Sequence, residues 1–477
     1  MENDIEQGSA LDIEKAKDIL KTLNTEVRQM PTQQNGSESH GSECCIYRVP
    51  NQLRNVNSKA YDPNLISIGP LHHGNKGLEA MEKAKLNYFR KFTEGDGVDE
   101  KKMCDIVISI KNQEERLRNC YSEKSILMES SDDFVKMILL DAVFIILFFL
   151  ESNDDSDPKN FEPRMTSDIR EDLMLLENQL PLFIIQEIYG RAIPFLHLAT
   201  CHILRESFLK RVETRQDIVE GSRHFTDLLR NLMLGDFRPT HLYGVDWKTH
   251  FTDLLRKLMT HFTDLLRKLM LGRAIEQSEQ SEQSEHSGPP FNPGAYKARV
   301  LKYSAVMLLK AGVRFQVTRG SCLVDITFDK GVLKIPRLEV DHNFERLIRN
   351  IMALEQCCYS SEAYICSYIK FMDHLIDSAE DVGLLVQHVI ILHWLGDDAA
   401  VSNMINHFCE NIGDNYALFG NISRRLNAHY ENPWNQRKAT LKLVYFPDIW
   451  RGTATVAAAI LLILTFIQTL SSLKLFG

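Results

Sequence analysis

The sequence predicts a mainly α protein: a multi-helix globular body with one small β-hairpin and a single C-terminal transmembrane helix. Three observations carry this. Residues 452–473, GTATVAAAILLILTFIQTLSSL, contain no charge and as a helix would be roughly 33 Å long, enough for a hydrocarbon core of about 30 Å. Most of the remaining chain shows apolar residues recurring at three and four. One stretch, 322–338, changes to period two around a turn.

Length and composition suit a folded body with a membrane tail. The 477 residues are 25% charged and 44% hydrophobic, with a net charge of −9. Basic and acidic residues are mixed, so nothing is built to neutralise phosphates, and nucleic acid is not expected as a partner. None of the ten cysteines falls at zinc-knuckle or redox-dithiol spacing, which implies reduced thiols used mostly in packing.

Taken in order, residues 1–43 read as a flexible arm: a weak helix near Leu11–Leu23, then the polar tract PTQQNGSESHGSE. No apolar signal-peptide core is found in the first thirty residues. Residues 44–234 form the N-terminal half of the body. It begins with CCIYRVPNQLRNVNSKAYDPNLISIGPLHHG, where Pro50, Pro63, Pro70 and Gly74 force an extended, turning path. Leu78, Met81, Lys85, Tyr88, Phe89 and Phe92 then mark a helical stripe. Phe134–Leu150, FVKMILLDAVFIILFFL, is expected to be the buried central helix rather than a second span. Lys136 and Asp141 would each cost about 2.5–3.5 kcal/mol in a bilayer, so Asp141 should be paired inside the body. Asp168–Tyr189 reads as helix, with Pro181 kinking or ending it. Glu177 within it is either a catalytic acid or, as favoured here, a buried polar contact at that kink.

Residues 235–290 are an insert. HFTDLLRNLML at His224 recurs as HFTDLLRKLMT at His250 and HFTDLLRKLML at His261. The eleven-residue offset of the last two keeps one apolar face in line, giving an amphipathic helix. The simplest account is tandem duplication inside a tolerant loop, running into the low-complexity linker EQSEQSEQSEHSGPP.

Residues 291–430 form the C-terminal half, with helix from Tyr296 to Ala311 and a hairpin of CLVDITF and VLKIPRL around Asp329-Lys330-Gly331. Pro336 confines its strand to an edge or to the strand's end. Helix should resume from Asn343 to about His429, including DVGLLVQHVIILHWL. A juxtamembrane segment, 431–451, carries Arg437, Lys438, Lys442 and Arg451 before the anchor, with Tyr445, Phe446 and Trp450 at its near interface. The positive-inside rule then places the body in the cytosol, on plasma membrane or endoplasmic reticulum.

Chemistry is thinly signalled. The sequence has no GxSxG elbow, HExxH, Walker loop or kinase signature. His72-His73 on an extended turn point to opposite sides and lack a nearby acid or cysteine, so a zinc site is not expected. His388 and His393 lie five apart, off a common helical face. Cys357 is the nearest thing to a nucleophile, with histidines remote in sequence. Asp373, Asp377, Glu380 and Asp381 lack an EF-hand pattern, and Ser378 with Asp381 reads as a capping box. No catalytic, cofactor or metal residue is therefore assigned, and no cofactor is expected.

Several stretches, in order, resemble one family closely, the plant proteins called domain of unknown function 247: IYRVP, YDPNLISIGPLHHG, LMLLENQLPLF, the AGVRF to IPRLEV region, RNIMALEQC, YIKFMDHLIDSAEDVGLL and AAAILLILTFIQTL. The resemblance covers about Cys44 to Leu473. It implies a predominantly helical body on a C-terminal anchor, without an assigned enzymatic activity. Members in grasses are linked to pollen-side recognition, which implies interaction rather than catalysis; that role is not carried over here. Repeat copies two and three and the linker depart from the family pattern. The expectation is a tail-anchored recognition module with an unknown protein partner. The alternatives are a hydrolase or other enzyme with an unrecognised site, which would need a deep pocket lined by His72, Asp141 or Glu177, and an oligomerising scaffold, in which the chain is a homo-oligomer.

Overall fold

A computed structural model describes residues 43–94, 98–123, 130–152, 161–192, 216–235, 237, 300–318, 322–413, 418–440 and 449–474. The chain divides into two units, Met1–Glu43 and Cys44–Gly477. The expected arm, the second and third repeat copies, the glutamine-serine-glutamate linker and most of the juxtamembrane segment lie outside the described residues.

In the second unit the N-terminal helices are α1 (Asn51–Arg54), α2 (Glu79–Glu94), α3 (Glu100–Asn112), α4 (Glu114–Asn119), α5 (Ser131–Ser152), α6 (Pro163–Asp172), α7 (Leu182–Ala192), α8 (Gln216–Gly221) and α9 (Phe225–Leu234). Helix α5 is the expected central helix. Phe134, Ile138, Val143, Phe144, Ile145, Ile146 and Phe148 have no exposed surface, and each such side chain is worth about 1.5–3 kcal/mol of burial. Lys136 turns to solvent. Helix α2 lays Met81, Tyr88 and Phe92 against it, and Tyr88 meets Phe144 edge-on at 5.1 Å.

The C-terminal helices are α10 (Ala305–Lys310), α11 (Phe344–Cys358), α12 (Tyr364–Leu375), α13 (Ala379–Gln387), α14 (Asp398–Phe408), α15 (Gly420–Glu431) and α16 (Pro433–Thr440), followed by α17 (Ile449–Lys474). Strands β1 (Arg314–Thr318), β2 (Thr327–Asp329) and β3 (Val332–Pro336) form a sheet in the order β1-β3-β2, and β4 (Leu338–Val340) pairs in parallel with β5 (Ile391–His393).

The hairpin forms as β2–β3, turning on Lys330 and Gly331 with φ of 48° and 76°. Both residues are left-handed, as a two-residue primed turn requires. Pro336 is the last residue of β3, where it interrupts no ladder.

Three expectations are corrected. Helix α10 starts at Ala305 and the described residues before it, 300–304, are not helical, because Lys302 N–H is drawn to Asn427 Oδ1 and Tyr303 stacks on Tyr430 at 3.7 Å; residues 296–299 lie outside the described residues. Helix α13 stops at Gln387, Val389 takes φ 58°, and the β-branched run VII leads into β5. Helix α6 ends at Asp172, nine residues before Pro181, for a reason given below. Parallel strands β1, β4 and β5 carry no hairpin signal in the sequence, since their partners lie across other elements.

A further difference concerns the anchor. Among the described residues no helix is long and apolar enough to cross a membrane. Helix α17 runs 26 residues, Ile449–Lys474. The transmembrane assignment made from the sequence is therefore not shown.

Two large hydrophobic cores result, one around α2, α3, α5 and α7, the other around α10–α15 and the sheets. Helix α9 belongs to both. Phe225, Leu228 and Leu232 enter the first core, and Leu229, Met233 and Leu234 the second.

Candidate functional site

The irregular segment 60–72 is buried without a strand partner along most of its length, and buried backbone groups need partners. They come from the side chains of a single loop and two helices. Asp172 accepts from the N–H groups of Asn64, Leu65 and Ile66 at 2.8, 2.7 and 3.0 Å, and its Oδ1 also takes Arg346 Nη2 at 2.9 Å. Asn178 accepts from Ile68 N–H at 2.7 Å and donates to Ile66 O at 3.0 Å. Asp141 on α5 accepts from Gly69 N–H at 2.8 Å.

The same groups end α6. Asn178 Nδ2 donates to Asp172 O, and Gln179 Nε2 to the carbonyls of Leu173 and Leu175. Side chains thus take the carbonyls a continuing helix would have used, a competition amides commonly win in turns. LLENQLP is a buried turn, and Pro181 only precedes α7.

Glu177 sits at the centre with no exposed side-chain surface. It accepts from Val49 N–H at 2.6 Å and Arg54 Nη2 at 2.5 Å. Arg48 Nη1 is 3.2 Å and His72 Nε2 3.4 Å from its other oxygen. Burial alone would raise its pKa. The His72 contact, the Val49 N–H and Arg54 reverse that and hold the carboxyl below its ordinary range. It is ionised at neutral pH and so has no proton to give as an acid. Sequence reasoning placed Glu177 as a buried polar contact, and it is one, although it holds a turn rather than a kinked helix. Its arginine partners lie more than a hundred residues away and had no local signal.

Asp141 is paired as expected, with Lys85 Nζ at 2.7 Å. Lys85 also donates to Ser67 O and Glu82, both at 2.6 Å. Burial pushes the Asp141 carboxyl up, with Lys85 and Gly69 pulling it back only in part; Lys85 is raised, because Asp141 and Glu82 outweigh its own burial. The three oxygens around one ammonium favour an ion pair.

The remaining named residues do not converge. His73 faces solvent. His388 Nδ1 lies 2.9 Å from Leu384 O, and His393, on β5, 2.9 Å from Asp398. Burial pushes the Cys357 thiol up to about 11, so it is not a ready thiolate. His224 Nε2 lies 3.0 Å from Cys45 O. Asp381 completes the capping box on Ser378 and also accepts from Val306 N–H at 2.8 Å. Asp373 is pushed up to about 6 by burial. Among the described residues no three histidine, cysteine, aspartate or glutamate side chains stand together as a metal site. An open depression of about 510 Å³ is lined by Val306, Glu380, Gly383, Gln387 and Asp398, among others, and by none of His72, Asp141 or Glu177.

A second polar group, missed in the sequence, fixes α9. Asp227 accepts from Tyr359 Oη at 2.6 Å and Arg223 N–H at 2.9 Å. Arg230 pairs with Glu355 at 2.9 Å and lies 3.8 Å over the Tyr359 ring. Full burial lowers His224 to about 4. Its folded pKa lies below its unfolded 6.5, so its contribution is present above pH 6.5 and disappears as pH falls towards 4. That is a loss of about 3 kcal/mol. Chemical denaturation from pH 7 to 4 should show this slope, and His224→Gln should flatten it; an unchanged slope would remove His224 as the cause.

Fold and clamp define a class of protein: a helical body in which an irregular N-terminal segment is pinned by an internal acid–amide turn, followed by an apolar C-terminal helix. The chain belongs to the domain of unknown function 247 family, whose model, described as "Plant protein of unknown function", matches residues 46–464. Two proteins of Arabidopsis thaliana are similar to it. UPF0481 protein At3g47200 is 26% identical over 452 residues, covering 91% of this chain and 87% of its own length. A second UPF0481 protein, At3g02645, is 22% identical, with 89% of each covered. No solved structure matches the chain significantly.

Proposed function

We propose that this is a membrane-anchored recognition module whose body faces the cytosol. One observation carries the anchor. In α17, the consecutive residues Ile460, Leu461, Leu462, Ile463 and Leu464 are 52, 63, 71, 60 and 51% exposed. At about 100° per residue they cover the whole circumference, and a helix apolar all round belongs in a buried setting. In the sequence, Arg451 and Lys474 stand on either side of this uncharged stretch.

Recognition rather than catalysis is supported by how the charged groups are used. Glu177, Asp172, Asp141, Asp227 and Glu355 are each engaged by backbone N–H groups or cations inside the fold. Trp394 and Trp434 are 58 and 75% exposed, and tryptophan is the residue type that contributes most at protein interfaces.

The full chain expressed in plant cells should stay in the membrane pellet after alkaline carbonate extraction, and a protease added to sealed vesicles should digest the body. Release into the supernatant would sink the anchor. A protected body would put it on the other side of the membrane. Proximity labelling from the N-terminus should then recover a reproducible cytosolic partner set that Trp394→Ala or Trp434→Ala depletes.

A further inference from the structure

The seat of α9 fits more than one segment of this chain. The element is locked by named contacts: His224 to Cys45 O, Phe225 N–H to Gln179 Oε1 at 2.9 Å, Thr226 Oγ1 to Met174 O at 2.9 Å, Asp227 to Tyr359, and Arg230 to Glu355 and to Glu362 O. Its apolar side chains divide between two cores, and Gly235, at φ 52°, closes its C-terminus by donating to Asn231 O at 2.9 Å.

Every one of these groups recurs in the third repeat copy. Residues 261–272, HFTDLLRKLMLG, match 224–235, HFTDLLRNLMLG, at 11 of 12 positions. His261, Phe262, Thr263, Asp264 and Arg267 stand where His224, Phe225, Thr226, Asp227 and Arg230 stand, and Gly272 where Gly235 does. The one difference is Lys268 for Asn231. Asn231 is only half-buried and its amide reaches Ser222 Oγ, so a lysine there keeps its ammonium in water. An amphipathic helix copied only for its apolar face has no need of a buried aspartate and arginine. Copy two ends in Thr260 where Leu234 enters the second core, and fits less well.

We propose that the α9 seat is a binding site for the HFTDLLR element, and that the third copy occupies it in place of the first within the same chain. The segment up to Arg223 stays docked through Arg223 O, which accepts from Leu182 N–H at 2.8 Å. Residues 224–260 then loop out and the chain re-enters the seat at His261. Loop closure grows only logarithmically with length, and the tether keeps the spare copy at high local concentration. The first copy holds the seat by default, since it follows Arg223 directly and needs no loop to be closed.

The test is buffering in the full chain in detergent. Arg230→Ala is compared in two backgrounds: with Arg256 and Arg267 intact, and with both changed to alanine. The loss in melting temperature should be at least halved when Arg267 is present, while Arg256→Ala with Arg267→Ala alone should change little. Equal losses in both backgrounds overturn the proposal. A benzoylphenylalanine at Phe262 in the Arg230→Ala chain supplies a second reading. Phe225 lies 5.3 Å from Phe149, so crosslinking to the Phe149 peptide within the monomer supports exchange. Crosslinks confined to dimers, or absent from that peptide, refute it. Deleting Thr249–Leu271 from the otherwise unchanged protein should leave it folded with little change in melting temperature.

Discussion

Glu177→Ala is expected to cost about 3–5 kcal/mol, lowering the melting temperature by about 6–10 °C. The substitution leaves the Val49 N–H buried without an acceptor and removes the shared counter-charge of Arg48 and Arg54. The two arginines keep Glu123 and Asp62, which is why the loss is bounded rather than complete. Glu177→Gln separates charge from geometry. Glutamine keeps an acceptor for Val49 but cannot titrate. The folded pKa of Glu177 is held below its ordinary 4.5, so its stabilisation is full above pH 4.5 and falls away as pH drops through the folded value. The glutamine variant should lose that acid-side dependence while keeping the His224 slope between 6.5 and 4. If the alanine variant melted within a degree of the parent, the clamp would not be what holds the N-terminal segment.

Gly69→Ala is the second large effect. Gly69 has φ +71°, and a Cβ there would lie 2.5 Å from Gln179 O and 3.0 Å from Tyr121 Oη. The left-handed conformation costs a side-chain-bearing residue about 1–2 kcal/mol. The carbonyl is backbone in the clamp turn and cannot step aside without breaking the Asp141–Gly69 and Asn178–Ile68 bonds. The total is expected to exceed about 3 kcal/mol, read as a fall in denaturation midpoint. Gly74→Ala is the control: φ is +78° but nothing lies within 4 Å of the added methyl, so it should pay only the conformational cost. Equal losses for the two variants would mean the approach to Gln179 is unimportant.

Much of the clamp was visible in sequence as pieces. The proline-rich start, the LLENQLP stretch and the lone aspartate in an apolar helix each broke a local rule, and a broken rule marks a residue whose partner lies elsewhere. Asp141 illustrates what could be read. Its cost in an apolar setting demanded a cation inside the body, and Lys85, already in the stripe of α2, supplied it. Glu177 shows the limit. Its burial was foreseen, but nothing near it named Arg48 and Arg54. The repeat shows only an amphipathic stripe in the sequence, whereas in the first copy Asp227 and Arg230 are buried and held by Tyr359 and Glu355.

By itself the sequence determined the helices that have their own period, the hairpin with its left-handed turn, the Ser378 cap and the family. All rest on interactions within a few residues, where spacing and backbone preference act directly. Tertiary structure decided the parallel pairings of β1 with β3 and β4 with β5, the early end of α6, the strand that follows α13, and the double role of α9. Each depends on groups brought together from distant parts of the chain. A strand without a hairpin, or a carboxylate without a neighbour, takes its partner only from what the folded body places beside it.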